Sequence, residues 1–185
     1  MTQLFQFMFE HGPAAAHKGA MFSDDRVYRY ALWRSWDAKA PFVNFVLLNP
    51  STADAEVDDP TVTRLMVRAK KAGFGGVVVT NVYGFRSTDP DVVKKQARAG
   101  VDVVGIKNDE AIVKFARKAG AVIIGWGKHC DEVSPGRSAF VLGLLQSLGC
   151  KIFAVAWNDD GSPRHPLYVP YDLPLRGLHD KSVLP

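Results

Sequence analysis

The stretch Phe42-Val43-Asn44-Phe45-Val46-Leu47-Leu48-Asn49-Pro50-Ser51-Thr52-Ala53-Asp54 decides the fold. From Phe42 to Leu48 only Asn44 interrupts a continuous apolar run, and the polar residues arrive together at its end. A strand with one wet face would alternate. A run like this one suits a central strand covered on both faces, as in a parallel sheet.

Working outward, Val62, Leu65, Met66 and Ala69 recur at helical spacing between Asp59 and Ala72, with Pro60 in the first turn, where its missing N–H costs nothing. Gly73-Phe74-Gly75-Gly76 stops that helix, and Val77-Val78-Val79-Thr80-Asn81 reads as a second buried strand. A long polar loop through Tyr83, Arg86, Ser87 and Pro90 follows. The stretch from Val101 to Ala119 contains a helix with Ile106, Ile112, Val113 and Phe115 inward, and it delivers the chain to a third strand at Ala121-Val122-Ile123-Ile124-Gly125-Trp126. Ser134-Pro135 opens an amphipathic helix carrying Phe140, Leu144, Leu145 and Leu148. Lys151-Ile152-Phe153-Ala154-Val155 is the fourth strand.

Strand and helix in this alternation predict right-handed crossovers and an α/β fold of three layers, with a mainly parallel four-stranded sheet between helices. Upstream, Arg26 to Trp36 alternates in the aromatic-rich way of a strand with one wet face, an antiparallel edge strand or hairpin. From Asn158 onward Gly161, Pro163, Pro166, Pro170, Pro174 and Gly177 exclude long regular elements, leaving a loop that wraps the domain. The expectation is one domain over 1–185: N-terminal edge strands in 1–40, a parallel core in 41–157 and a proline-rich loop in 158–185.

Composition agrees with a globular chain: 185 residues, 47% of them apolar. The apolar N-terminus, with Leu4, Phe5, Phe7, Met8 and Phe9, lacks the basic lead and small-residue cleavage site of a signal peptide. No apolar run approaches the roughly 20 residues that span a bilayer. Cys130 and Cys150 stand in unrelated contexts without zinc-ligand spacing, so reduced thiols in a cytoplasm, and no metal site, are expected. His129 beside Cys130 lacks a second ligand at the right distance. The net charge of +4 and a pI of about 9.1 are compatible with a nucleic-acid or nucleotide partner. The basic clusters around Arg64, Arg68, Lys70 and Lys71, around Lys94 and Arg98, and around Lys114 and Arg117 read first as solvated helix faces.

In an open parallel sheet, ligands bind beyond the carboxyl ends of the strands. After the first strand stand Asn49, Ser51, Thr52, Asp54 and Asp59; after the second, Asn81, Tyr83 and Arg86; after the third, Trp126 and His129; after the fourth, Asn158, Arg164, His165 and Tyr168. Each has a plainer reading as well: Asp59 as a helix cap, Asn81 as a strand terminator, Trp126 as core. No phosphate loop, GxGxxG, Gly-x-Ser-x-Gly elbow or His-Glu-x-x-His is present. P-loop, dinucleotide-cofactor, serine-hydrolase and zincin chemistries are set aside.

The order of Tyr28-Arg29-Tyr30, Leu47-Leu48-Asn49-Pro50-Ser51-Thr52-Ala53-Asp54, Asp58-Asp59-Pro60-Thr61, Thr80-Asn81, Gly125-Trp126-Gly127 and Arg164-His165-Pro166-Leu167-Tyr168 resembles the bacterial and phage family called domain of unknown function 1643. That resemblance spans nearly the whole chain and brings no reaction with it. A second resemblance is to the uracil-DNA glycosylase superfamily, whose first motif, Gly-Ile-Asn-Pro-Gly in one branch, is similar to Leu47-Leu48-Asn49-Pro50-Ser51. Its base-reading Asn at the end of the second strand is similar to Asn81, its late His-Pro-Ser to His165-Pro166-Leu167, and a Trp-Gly pair to Trp126-Gly127.

This second resemblance implies hydrolysis of an N-glycosidic bond without metal or cofactor. Asn49 would position the water, Asn81 would read the base edge, and His165 would stabilise charge on the departing base. Trp126 or Tyr83 would stack on an extruded base, and Arg64, Arg86 or Arg164 would hold phosphates. Three departures weigh on it: both glycines of the first motif are replaced, by Leu47 and Ser51, and the serine after His-Pro is Leu167. The aspartate of the superfamily's fastest branch is Asn49 here, which implies slow chemistry. Two other readings stay open: a module that binds nucleotides or nucleic acid without cleaving, and a hydrolase or transferase on free nucleotides.

Overall fold

In the computed structural model, described over residues 17–51, 53–178 and 183–184, β1 (Lys18–Phe22) and β2 (Arg29–Ser35) form an antiparallel hairpin. β3 (Phe42–Leu47), β4 (Gly76–Asn81), β5 (Ala121–Ile124) and β6 (Ile152–Ala154) are the buried runs read from the sequence. β3 pairs in parallel with both β4 and β5, and β5 pairs in parallel with β6. Two short strands of the tail, β7 (Leu175–Gly177) and β8 (Val183–Leu184), close the far edge antiparallel. The sheet runs β1-β2-β4-β3-β5-β6-β7-β8.

The protein is therefore a mixed α/β structure rather than one with a mainly parallel sheet: antiparallel hairpins flank the parallel pairs on both sides. The proline-rich tail expected as loop adds two of those strands. The apolar residues from Leu4 to Phe9 lie outside the described residues, as does Thr52.

Five helices are described: α1 (Pro60–Lys71), α2 (Pro90–Arg98), α3 (Asn108–Lys118), α4 (Cys130–Val133) and α5 (Arg137–Ser147). Alternation along the strands assigns the two faces of the sheet. Val43, Phe45 and Leu47 pack with Val62, Leu65 and Ala69 of α1. Val46 and Leu48 pack with Ile112 of α3 and Val141 and Leu145 of α5. Continuous apolar strands thus mark a sheet covered by helices on both faces.

Three local expectations fail for identifiable reasons. β2 is no edge strand with a wet face: it lies between β1 and β4, and Arg29 through Arg34 are all buried. The helix before β5 begins only at Asn108, and Ile106 is 91% exposed in the loop ahead of it. Phe140 is 55% exposed on α5, where Arg137 lies over its ring. In addition, the loop after β4 holds α2, which buries only Val93.

Candidate functional site

A cavity of about 510 Å³ opens where β3, β4 and β5 end. Its floor is buried: Leu47, Val79, Asn81, Trp126 and, from β2, Arg29. Its rim is polar and exposed, with Lys128, His129, Arg164 and Tyr168. Asn49, Ser51, Asp59 and His165 stand between.

Asn81 ends β4 at 1% exposure, and its side-chain Oδ1 has no hydrogen-bond partner. Its own carbonyl accepts from Asn108 Nδ2 at 2.8 Å, which fixes the strand end. A buried amide oxygen left unpaired costs free energy, and among the described residues with such groups only Asn81 and Arg29 also line this cavity. Asn49 is oriented by its amide nitrogen, which donates to the carbonyls of Ser87 at 2.8 Å and Pro50 at 3.2 Å. That leaves its Oδ1 free to accept, among the described residues.

His165 caps a 3-10 turn, Pro166–Tyr168, and its Nδ1 accepts from the Leu167 N–H at 3.3 Å. The proton of the neutral ring is then on Nε2, a donor. Burial holds the ring neutral, pulling its pKa down to about 4 against the opposing pull of Asp59. The segment carrying His165 is clamped from α1. The buried Arg68 guanidinium donates to the carbonyls of Val169 at 2.8 Å, Pro170 at 2.5 Å and Leu173 at 3.3 Å. Arg64 donates to Val169 O at 2.9 Å and lies over the Tyr171 ring.

Gly125 supplies the close approach on which this arrangement depends. A Cβ there would meet Pro166 Cδ at 2.8 Å and Leu47 Cδ2 at 3.2 Å. The Gly-Trp pair therefore lets the His-Pro segment pack directly over the end of β5. Asp59 caps α1, its Oδ1 accepting from Val62 N at 2.8 Å, and also lines the cavity.

Asn49, Ser51, Asp59, Asn81, Trp126, Arg164, His165 and Tyr168 thus share one cavity. So do His129 and Asn158, whereas Tyr83, Arg86, Asp54 and Arg64 do not line it. Tyr83 is fully buried in the opposite core, where its hydroxyl donates to the carbonyl of Cys130 at 2.9 Å, so it is no stacking platform. Arg86 reaches back to the carbonyl of Arg26 at 3.0 Å and lies over Phe22. Asp54 folds into its own turn, accepting from Glu56 N and Val57 N, which lowers its pKa. Arg64 and Arg68 hold the tail rather than forming a solvated helix face, and neither lines the cavity. Cys130, beside His129, has a thiol pushed up to about 12 by burial, which removes it as a nucleophile.

Arg29 also lines the cavity, and in a segment that reads as a strand with one wet face a cation carries no signal of a site. Ser87, Thr61 and Lys128 also belong to the lining. Chemically the cavity offers an apolar floor, an unpaired amide acceptor, a neutral imidazole donor, an oriented amide oxygen and basic groups.

Among the described residues no helix is long and apolar enough to cross a membrane. No curated protein and no solved structure matches the chain. A family model described as "Protein of unknown function (DUF1643)" matches residues 29–167, a span that begins at the buried Arg29 and closes just after His165. The protein belongs to that family, DUF1643.

Proposed function

We propose that the cavity receives a nucleobase and that the protein hydrolyses an N-glycosidic bond in nucleic acid, in the manner of the uracil-DNA glycosylase superfamily. The observation that carries this reading is the unpaired Oδ1 of Asn81, buried in the same cavity as Trp126 and His165. The parallel set β4-β3-β5-β6 between helices supports the same reading at the level of fold.

Asn81 offers the acceptor and donor of its amide to a base edge. Trp126 supplies an apolar wall against which a ring packs. As the bond from the sugar to the base nitrogen breaks, its electron pair moves onto the base. The Nε2–H of a neutral His165 donates to the oxygen where that charge collects. A water held by Asn49 Oδ1 adds to the sugar carbon and its proton passes to solvent or the base. An amide cannot take that proton, so the reaction relies on a leaving group that departs ahead of attack, and it is slow.

One oxygen of Asp59, Oδ1, caps α1, which holds that carboxylate against the helix end rather than free to turn onto a water. That favours a second reading over the remaining ones: a module that binds a base or nucleotide without cleaving it. Prolonged incubation with labelled oligonucleotides carrying uracil, mismatched thymine, hypoxanthine or hydroxymethyluracil, then alkali, separates the two. Strand breaks that vanish in His165→Ala establish hydrolysis; retained binding with no breaks establishes the module.

A further inference from the structure

Three arginines are buried among the described residues, and two have obvious employment. Arg34 forms an ion pair with Asp58 at 2.7 Å. Arg68 spreads over three tail carbonyls. Arg29, at 3% exposure, has neither arrangement. Its Nη1 donates to the Ala53 carbonyl, its Nε has no partner, and no carboxylate of the described residues lies within ion-pair distance.

Burial pulls the guanidinium down to about 10, which leaves it charged at neutral pH. Asp59, which lines the same cavity with its Oδ1 on the α1 N-terminus, and Asp54, folded into its own turn, attract it only from beyond ion-pair distance. The other charged groups of the lining, Lys128 and Arg164, are basic. A buried cation without a counter-ion is expensive, and a protein that keeps one facing a cavity has an anion to place there.

We infer that Arg29 receives an anionic oxygen group of the ligand, a carboxylate or a phosphate, so that the cavity prefers an acidic nucleobase or a nucleotide to its neutral counterpart. This rests on the reading of the cavity as a nucleobase pocket. A planar guanidinium suits such groups because its parallel N–H bonds match their paired oxygens. The carboxylate would come from a substituent on the base, the phosphate from the nucleotide itself.

Calorimetric titration with two pairs of ligands, uracil against 5-carboxyuracil and deoxyuridine against its 5′-monophosphate, distinguishes these sources. In the wild-type protein the anionic member of one pair binds at least about tenfold more tightly. In Arg29→Met, checked for its fold by circular dichroism, that ratio falls to about two or less. In a Lys128→Gln/Arg164→Gln variant it persists.

Equal binding within both pairs by the wild-type protein overturns the inference without any variant. So does a preference that survives Arg29→Met, or one that disappears with the rim residues. If uracil and deoxyuridine bind and are lost in Asn81→Ala, yet charge makes no difference, the base pocket stands and the role of Arg29 falls. If no base binds but inorganic phosphate does, and Arg29→Met abolishes it, the base pocket falls and the anion site stands.

Discussion

Asn49 Nδ2 donates to the carbonyl of Ser87 at 2.8 Å, and Ser87 N returns a bond to the carbonyl of Pro50 at 2.9 Å. The loop after β3 and the loop leading into α2 are thereby clasped along one side of the cavity. Asn49→Ala leaves the Ser87 carbonyl without that donor, and the expected loss of stability in urea denaturation is about 1 kcal/mol. The same variant loses the acceptor proposed to hold water. Its activity should therefore fall by far more than its stability, and denaturation and turnover measured on the same sample check this.

The neutrality of His165 has a consequence for stability against pH. Its folded pKa lies at about 4, below its ordinary value, because burial penalises the charged ring. Between those values the unfolded chain binds the proton and the folded chain does not. Stability is thus lost as pH falls from about 6.5 to about 4, and this contribution levels off below. The total is at most about 3 kcal/mol. His165→Gln should flatten that part of the profile, which denaturation of both proteins at pH 7 and pH 4.5 measures.

Arg68 ties α1 to the segment after His165 through three carbonyls. Arg68→Met removes those donors, leaves Arg64 as the remaining partner of the Val169 carbonyl and leaves the carbonyls of Pro170 and Leu173 to find water. The expected cost is about 2–4 kcal/mol. Amide exchange should rise in Val169 and Leu175 before it rises in β3. A variant whose exchange rises uniformly would show that the clamp does not act locally.

The contact of Gly125 with Pro166 makes a steric prediction. Gly125→Ala places a methyl group 2.8 Å from Pro166 Cδ, and the ring cannot yield without moving the turn that carries His165. A loss of about 1–3 kcal/mol is expected, together with impaired ligand binding, whereas Gly127→Ala meets nothing within 4 Å and acts only through its positive φ of 78°. A crystal structure of the Gly125→Ala protein would show the displaced turn.

What the sequence made legible follows a physical pattern. Phe42–Leu48 and Val77–Val79 announced themselves because strands covered on both faces must be apolar throughout. The site residues at strand ends were legible for the same reason: Asn49, Asn81 and Trp126 are where an apolar run stops. α2 was missed because its nine residues are mostly polar and bury only Val93, so that by composition they read as part of a polar loop. β7 was missed because three residues paired to β6 leave no pattern either. Tyr83 and Arg86 were misplaced because position after a strand does not say to which face the loop turns. Arg29 could have been found: the buried neighbours Tyr30, Ala31, Leu32 and Trp33 are apolar on both faces of β2. In such a strand a charge is internal, and an internal charge asks for a partner.

The central claim is that Asn81 reads a base in this cavity, and nuclear magnetic resonance tests it whether or not the protein is a catalyst. Titration with free nucleobases and nucleotides should shift the Asn81 side-chain amide and the Trp126 indole together and saturably, and Asn81→Ala should abolish the shift at Trp126. Titration of every base without movement of either resonance, or with Trp126 responding undiminished in Asn81→Ala, would contradict it.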